Sequence, residues 1–136
     1  MRLVILGAGG WIPTPERETS AALLVAGDEA VLLDAGTGVR RLVDRPELLA
    51  GVRRLTVALT HYHLDHTIGL AYLPGVRSAA GVATEVVGPG LRAYDEAARD
   101  AVERLLSPPL FAAGAAPTVG AISDLPDGPL VRGAIA

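Results

Sequence analysis

Three kinds of residue are missing or scarce in this chain of 136 residues. Cysteine is absent, so disulfides and thiolate metal ligands are both excluded, and a metal site would have to use imidazole and carboxylate groups. Lysine is absent as well, and all 12 basic residues are arginine. Aromatic residues are limited to one Trp, one Phe and three Tyr, so the core has to be built from Ala, Val, Leu and Ile.

The chain also lacks a strongly basic surface and long apolar runs. Its net charge is −3, which does not indicate nucleic acid as a partner, although a nucleic-acid substrate is compatible with it. No stretch approaches the ~18 apolar residues of a membrane helix, and the apolar run 3–6 is too short for a signal peptide. We therefore expect a cytoplasmic protein without a membrane partner.

Apolar runs separated by turn residues predict an alternation of strands and helices. Buried strands are expected over residues 3–6, 20–25, 30–33, 55–59 and 84–87. Helices are expected after Gly38, over 68–73 with an end at Pro74 and Gly75, and over 91–106 with Leu91 and Tyr94 on the apolar stripe. This alternation favours an α/β protein with a mixed β-sheet.

The last thirty residues differ from the rest of the chain in composition. Residues 107–136 hold five of the ten prolines and only three charged residues. We expect one domain over residues 1–106, followed by a Pro/Ala/Gly-rich, largely irregular tail with a single strand over 129–135.

All three histidines lie between Thr60 and His66, directly after the predicted strand 55–59. Residues two apart in an extended segment point the same way, so His61 and His63 can bind one metal ion. The chain then turns, and Asp65 and His66 can bind a second ion. Imidazole and carboxylate suit Zn²⁺ best, with Mn²⁺ or Fe²⁺ as alternatives. Asp65 has a second interpretation, as the cap of a helix that begins near Thr67.

Residues 59–70, LTHYHLDHTIGL, resemble the His-x-His-x-Asp-His signature of the metallo-β-lactamase superfamily. Residues 6–20 resemble the opening of its ribonuclease Z-like and phosphodiesterase-like branch, and residues 32–36 resemble the strand and turn that precede the metal loop. The resemblance covers residues 2–106. It implies the N-terminal half of an αββα sandwich, with a mixed β-sheet and flanking helices.

The resemblance also implies an activity, namely metal-dependent hydrolysis of a phosphodiester or ester bond. The substrate would be a small molecule or a phosphodiester. His61 and His63 would hold the first metal, and Asp65 and His66 the second. A water activated by both ions would attack the substrate. Asp65 would additionally orient that water or accept its proton, which makes it the candidate catalytic residue.

Members of this family take further ligands from the second half of their fold, and this chain has no other histidine. Asp124 and Asp127 lie in the corresponding half, but their Asp-Leu-Pro-Asp-Gly setting favours a turn. The alternative prediction is therefore a truncated, non-catalytic remnant or a half-domain that binds metal weakly. Its exposed sheet face would favour a homo-oligomer or a partner chain that completes the site.

Two other features of the sequence have competing interpretations. Gly7 and Gly9 follow a predicted strand as in a dinucleotide site, but Pro13 and Pro15 prevent the helix that would bind the pyrophosphate, so we exclude that site. Asp34 ends a strand, where it either orients a histidine of the metal loop or bonds nearby backbone.

Overall fold

A computed structural model describes residues 1–112 and 114–136. In this range the strands are β1 (Arg2–Gly7), β2 (Ala21–Ala26), β3 (Glu29–Leu33), β4 (Arg54–Ala58), β5 (Ala83–Gly88) and β6 (Ala121–Asp124). The α-helices are α1 (Arg40–Asp44), α2 (Leu64–Thr67), α3 (Leu73–Ala80), α4 (Ala98–Leu105) and α5 (Ala115–Val119). Single turns of 3₁₀ helix lie at Thr37–Val39, Pro46–Leu49, Ile68–Tyr72 and Gly90–Arg92.

The strands form one mixed sheet in which spatial order equals sequence order. β1, β2 and β3 are antiparallel neighbours, and the predicted hairpin turn between β2 and β3 contains Gly27 at φ +64°. β3, β4, β5 and β6 are parallel, so helices connect them. The predicted mixed sheet with flanking helices is confirmed.

The two faces of the sheet are covered differently. One face packs against the helices in a large aliphatic core, in which Leu23, Leu32 and Val57 are fully buried. On the other face Val31, Ala58 and Val87 pack under Ile135 and Leu130. These two residues belong to the C-terminal segment, residues 107–136. We call the two faces of the sheet the helix face and the open face.

The prediction that strand 3–6 is buried is wrong for two of its four residues. Leu3 and Ile5 are 59% and 54% exposed, whereas Leu6 is buried. β1 is the edge strand of the sheet, and its alternate side chains point to the open face. An uninterrupted apolar run therefore marks a strand here without reporting how many of its faces are covered.

Two predicted helix boundaries are also wrong. The helix expected over 91–106 begins only at Ala98, because the carboxylate of Asp124 accepts the backbone N–H of Ala98 at 2.7 Å and fixes the helix start there. Pro74 does not end a helix but lies in the first turn of α3, where proline's missing N–H leaves no bond unmade. In the described residues, no helix is long and apolar enough to cross a membrane.

The C-terminal segment is more regular than its composition indicates. α5 and β6 lie within it, and β6 pairs with β5 in parallel. The strand expected over 129–135 is absent from the described residues, where an isolated bridge joins Arg132 and Ile135. Ala113, in the predicted tail, lies outside the described residues. The division of the chain at residue 106 stays a prediction.

Candidate metal centre

The histidine loop follows β4 in the parallel part of the sheet, at the edge where the carboxyl ends of the strands meet. Open α/β sheets bind ligands at this edge. The loop packs on the turn after β3: Ala35 donates its N–H to the carbonyl of His66 at 2.8 Å, and Gly69 donates to that of Ala35 at 2.7 Å. A side chain at Gly69 would collide with this backbone, so the loop and the turn pack directly together.

The three imidazoles form one cluster. The ring centroids of His61 and His63 are 4.6 Å apart, and those of His61 and His66 are 4.1 Å apart. The spacing thus brings the rings of His61 and His63 together, while their binding of one metal ion stays a prediction. Asp65 joins the cluster through His66, since its Oδ2 lies 3.4 Å from the His66 Nε2.

Asp34 is hydrogen-bonded to the histidine loop. Its buried carboxylate accepts the backbone N–H of Thr60 at 2.8 Å and the Thr60 hydroxyl at 2.9 Å, and it lies 2.8 Å from the Nδ1 of His66. The structure supports the interpretation that Asp34 orients a histidine of the loop, and the backbone group that it bonds is that of Thr60, 26 positions away, and not one close in sequence.

The same network assigns the protonated nitrogen of two rings. Since the Thr60 hydroxyl donates to Asp34, its oxygen accepts a hydrogen from the Nδ1 of His61 at 2.9 Å. The Nδ1 of His66 likewise donates to Asp34. In both rings the proton is on Nδ1, which leaves Nε2 with the lone pair that a metal ion needs.

The protonation of His61 and Asp65 is shifted in the direction that suits metal binding. Burial lowers the pKa of His61, and the neighbouring His66 and His63 lower it further, so the neutral ring is favoured. The pKa of Asp65 is lowered mainly by the backbone N–H of Trp11, which donates to its Oδ2 at 2.7 Å. Neutral imidazole and ionised carboxylate are the forms that bind metal ions.

The interpretation of Asp65 as a helix cap is wrong. The N-cap of α2 is His63, no side chain caps that helix, and Asp65 lies inside its first turn. The contact between Asp65 and Trp11 was missed by sequence reasoning. It joins residues 54 positions apart, and no local pattern around Trp11 signals it.

The acidic residues Asp124 and Asp127 near the C-terminus lie outside the histidine cluster. The carboxylate of Asp124 accepts the backbone N–H groups of Ala98 and Leu91. Asp127 is exposed in the loop after β6. Neither placement supports a ligand role. The predicted turn is only partly present, because Asp124 is the last residue of β6 and the loop begins after it.

The donor set fits part of a metal centre. Nitrogen and oxygen donors of the types that Zn²⁺ binds are grouped at one edge of the sheet, with His61 and His66 oriented through their Nδ1 atoms. Over residues 1–112 and 114–136, however, no three His, Cys, Asp or Glu side chains are arranged to hold one ion by themselves. The chain thus carries pairs of donors and not a closed coordination shell.

Comparisons with known proteins match most of the chain. The family model of the metallo-beta-lactamase superfamily matches residues 14–123. A ribonuclease Z of Bradyrhizobium diazoefficiens is 35% identical over 133 residues, covering 95% of this chain and 41% of that protein. A ribonuclease Z of Pyrococcus furiosus is 36% identical over 74 residues, covering 52% of this chain and 23% of that protein.

Solved structures give the same fold. The metallo-beta-lactamase fold protein YhfI from Bacillus subtilis superimposes with a TM-score of 0.60 at 21% identity, covering 96% of this chain and 49% of that one. The short form of human tRNase Z gives a TM-score of 0.50 at 28% identity, over 67% of this chain and 36% of that one. The chain spans less than half the length of these relatives.

Proposed function

The chain belongs to the metallo-beta-lactamase superfamily. From that premise we propose that it functions as a metal-dependent hydrolase of phosphodiester bonds, with RNA as the substrate class. The substrate class is supported by the ribonuclease Z relatives and by the likeness to human tRNase Z. The expected mixed sheet and its resemblance to the first half of the family's fold are in agreement with this proposal.

The observation that carries the proposal is the oriented histidine cluster. Asp34 and Thr60 hold the Nδ1 atoms of His66 and His61, so that both Nε2 atoms are left to bind a cation. The two rings are oriented here through a buried carboxylate, directly for His66 and through the Thr60 hydroxyl for His61, and a carboxylate is costly to bury unless it is hydrogen-bonded. This arrangement is not expected in a surface loop whose histidines have no common function.

We assign His61 and His63 to one divalent ion, and Asp65 and His66 to a second. Zn²⁺ is the expected metal because imidazole and carboxylate donors suit it, and Mn²⁺ or Fe²⁺ are the alternatives. When bound, such ions lower the pKa of a water and stabilise the charge that develops on the phosphoryl group. Asp65, held by the Trp11 N–H, is the residue proposed to orient the attacking water or accept its proton.

One observation favours a second candidate function. Since the described residues contain no closed set of three ligands, the chain could be a half-domain that binds metal weakly and turns over only when another segment or partner chain supplies ligands. Activity that appears on addition of such a partner would distinguish this candidate from an enzyme that is active as it stands.

Zinc binding and turnover of the purified protein test both candidates. We expect calorimetry to show zinc binding that is lost in the double variant His61→Ala/His63→Ala and retained in the control Asp127→Ala, whose side chain is exposed. Zinc-dependent hydrolysis of bis(4-nitrophenyl) phosphate would support the enzyme. Weak binding of less than one ion without turnover would support the half-domain, and unchanged zinc binding in the double variant would refute the metal assignment.

A further inference from the structure

The single tryptophan of the chain lies in solvent beside the metal loop. Trp11 is 81% exposed and its neighbour Ile12 is 65% exposed. Tryptophan carries a large apolar surface whose burial is favourable, so it is usually found largely covered. An exposed indole next to a candidate catalytic site is therefore a feature that the folding of the chain does not explain.

The backbone that carries this side chain is fixed next to the metal loop. Trp11 has a φ of +63°, a left-handed conformation that is uncommon for residues other than glycine and is found most often at functional sites. It is fixed by its own N–H, which donates to the Asp65 carboxylate at 2.7 Å. The loop is closed below it by the Gly9 N–H, which donates to the carbonyl of Glu18 at 2.8 Å. The backbone that carries the indole is thus tethered to a proposed metal ligand.

A small cavity of about 170 Å³ lies between this loop and the metal loop. The residues that line it include Trp11, Pro13, Leu64 and Asp65. The cavity is smaller than the pockets that hold drug-sized ligands, so it suits a single flat group. The carboxylate of Asp65 beside this cavity is proposed to bind metal. A flat group in the cavity would therefore lie next to the reacting phosphate.

We propose that Trp11 stacks on a nucleobase adjacent to the phosphodiester bond that is hydrolysed. The inference rests on the proposed function, because the metal ions would hold the phosphate and Trp11 would hold the base. Aromatic stacking accepts any base, since every base has a π-face, and it does not depend on basic residues. It gives a chain with a net charge of −3 a way to position a single-stranded substrate.

Because Trp11 is the only tryptophan, its fluorescence reports on the site directly. The probes are AMP and ribose 5-phosphate, which share the phosphate and the sugar and differ in the base, added to the protein with and without zinc. We expect AMP to quench the emission and to bind on the order of tenfold more tightly than ribose 5-phosphate. Trp11→Ala should abolish that difference in calorimetry, Trp11→Phe should keep part of it, and Ile12→Ala should leave it unchanged.

The outcomes separate this inference from the proposed function. Zinc-dependent hydrolysis together with equal binding of AMP and ribose 5-phosphate would overturn the stacking role and leave the hydrolase standing. Base-dependent quenching without zinc binding would support the stacking role and count against the hydrolase. A blue-shifted emission of the ligand-free protein, typical of a covered indole, would overturn the inference, because Trp11 would then be occupied by another protein surface.

Discussion

The helix face and the open face of the sheet are built from the same strands and are completed to different degrees. Leu32 and Leu33 are neighbours on β3, yet Leu32 is 0% exposed on the helix face and Leu33 is 40% exposed on the open face. Over β1 to β3 the open face leaves Leu3 and Ile5 in solvent as well. Apolar strands therefore do not show that both faces of a sheet are covered, and contiguous exposed apolar area marks a surface that favours association.

The covered part of the open face combines the aliphatic packing of Ile135 and Leu130 with polar contacts. Arg132 of the C-terminal segment donates to Glu85 of β5 at 2.7 Å and to Thr56 of β4 at 3.1 Å. Thr56 donates in turn to Glu85 at 2.7 Å. The C-terminal segment thus depends on an ion pair for part of its attachment, whereas the helices on the opposite face depend on buried area.

The largest expected effect comes from truncating the two neighbouring leucines of β3. Leu32→Ala should lower the free energy of unfolding by about 2 to 5 kcal/mol, because it leaves a cavity in a filled core. Leu33→Ala should change it by only about 0.5 kcal/mol, as expected at an exposed site. Urea unfolding of both variants measures the difference. Equal losses would contradict it and would show that the open face is covered in solution.

A smaller effect is expected at Asp34, the residue after Leu33, which is buried at the edge of the sheet by hydrogen bonds. Asp34→Asn disturbs the orientation of His66 and Thr60 and should weaken zinc binding by roughly 10- to 100-fold. Calorimetric zinc titration measures this, with Asp44→Asn as a control because Asp44 is exposed on α1. Undiminished affinity in Asp34→Asn would show that the ring orientation does not matter for the metal.

The smallest effect is expected at Glu85 on the open face. Burial raises the pKa of Glu85, but the hydrogen bonds from Thr56 and Arg132 lower it by more. The pKa of Glu85 therefore lies below its ordinary value of 4.5. A lowered folded pKa means that the stabilisation is present above pH 4.5 and is lost as the pH falls through the folded value. Glu85→Gln should therefore cost about 1 kcal/mol at pH 7 and flatten the loss of stability in acid.

The control for this change is Glu103→Gln, whose partner Arg99 lies 3.6 Å away in an exposed pair on α4. Urea unfolding between pH 3 and pH 7 compares the two variants, and the control should retain the acid dependence of the parent protein. If both variants behaved alike, the attachment of the C-terminal segment would not depend on the Glu85–Arg132 pair.

Much of the fold and the centre of the site followed from local sequence. The hairpin at Gly27, the strands β2 to β5 and the grouping of His61 with His63 depend on residues a few positions apart, so spacing and turn chemistry determine them. The membership of the chain in its superfamily is confirmed by comparison. The sequence segment that indicated it most specifically is Leu59 to Leu70.

Other features were decided only when distant parts of the chain came together. Asp34 reaches His66 across 32 positions, Trp11 reaches Asp65 across 54, and Asp124 sets the start of α4 from 26 positions away. The physical reason is the same in each case. A hydrogen bond or a covered face depends on which neighbour the folded chain supplies, and local periodicity contains no record of that neighbour.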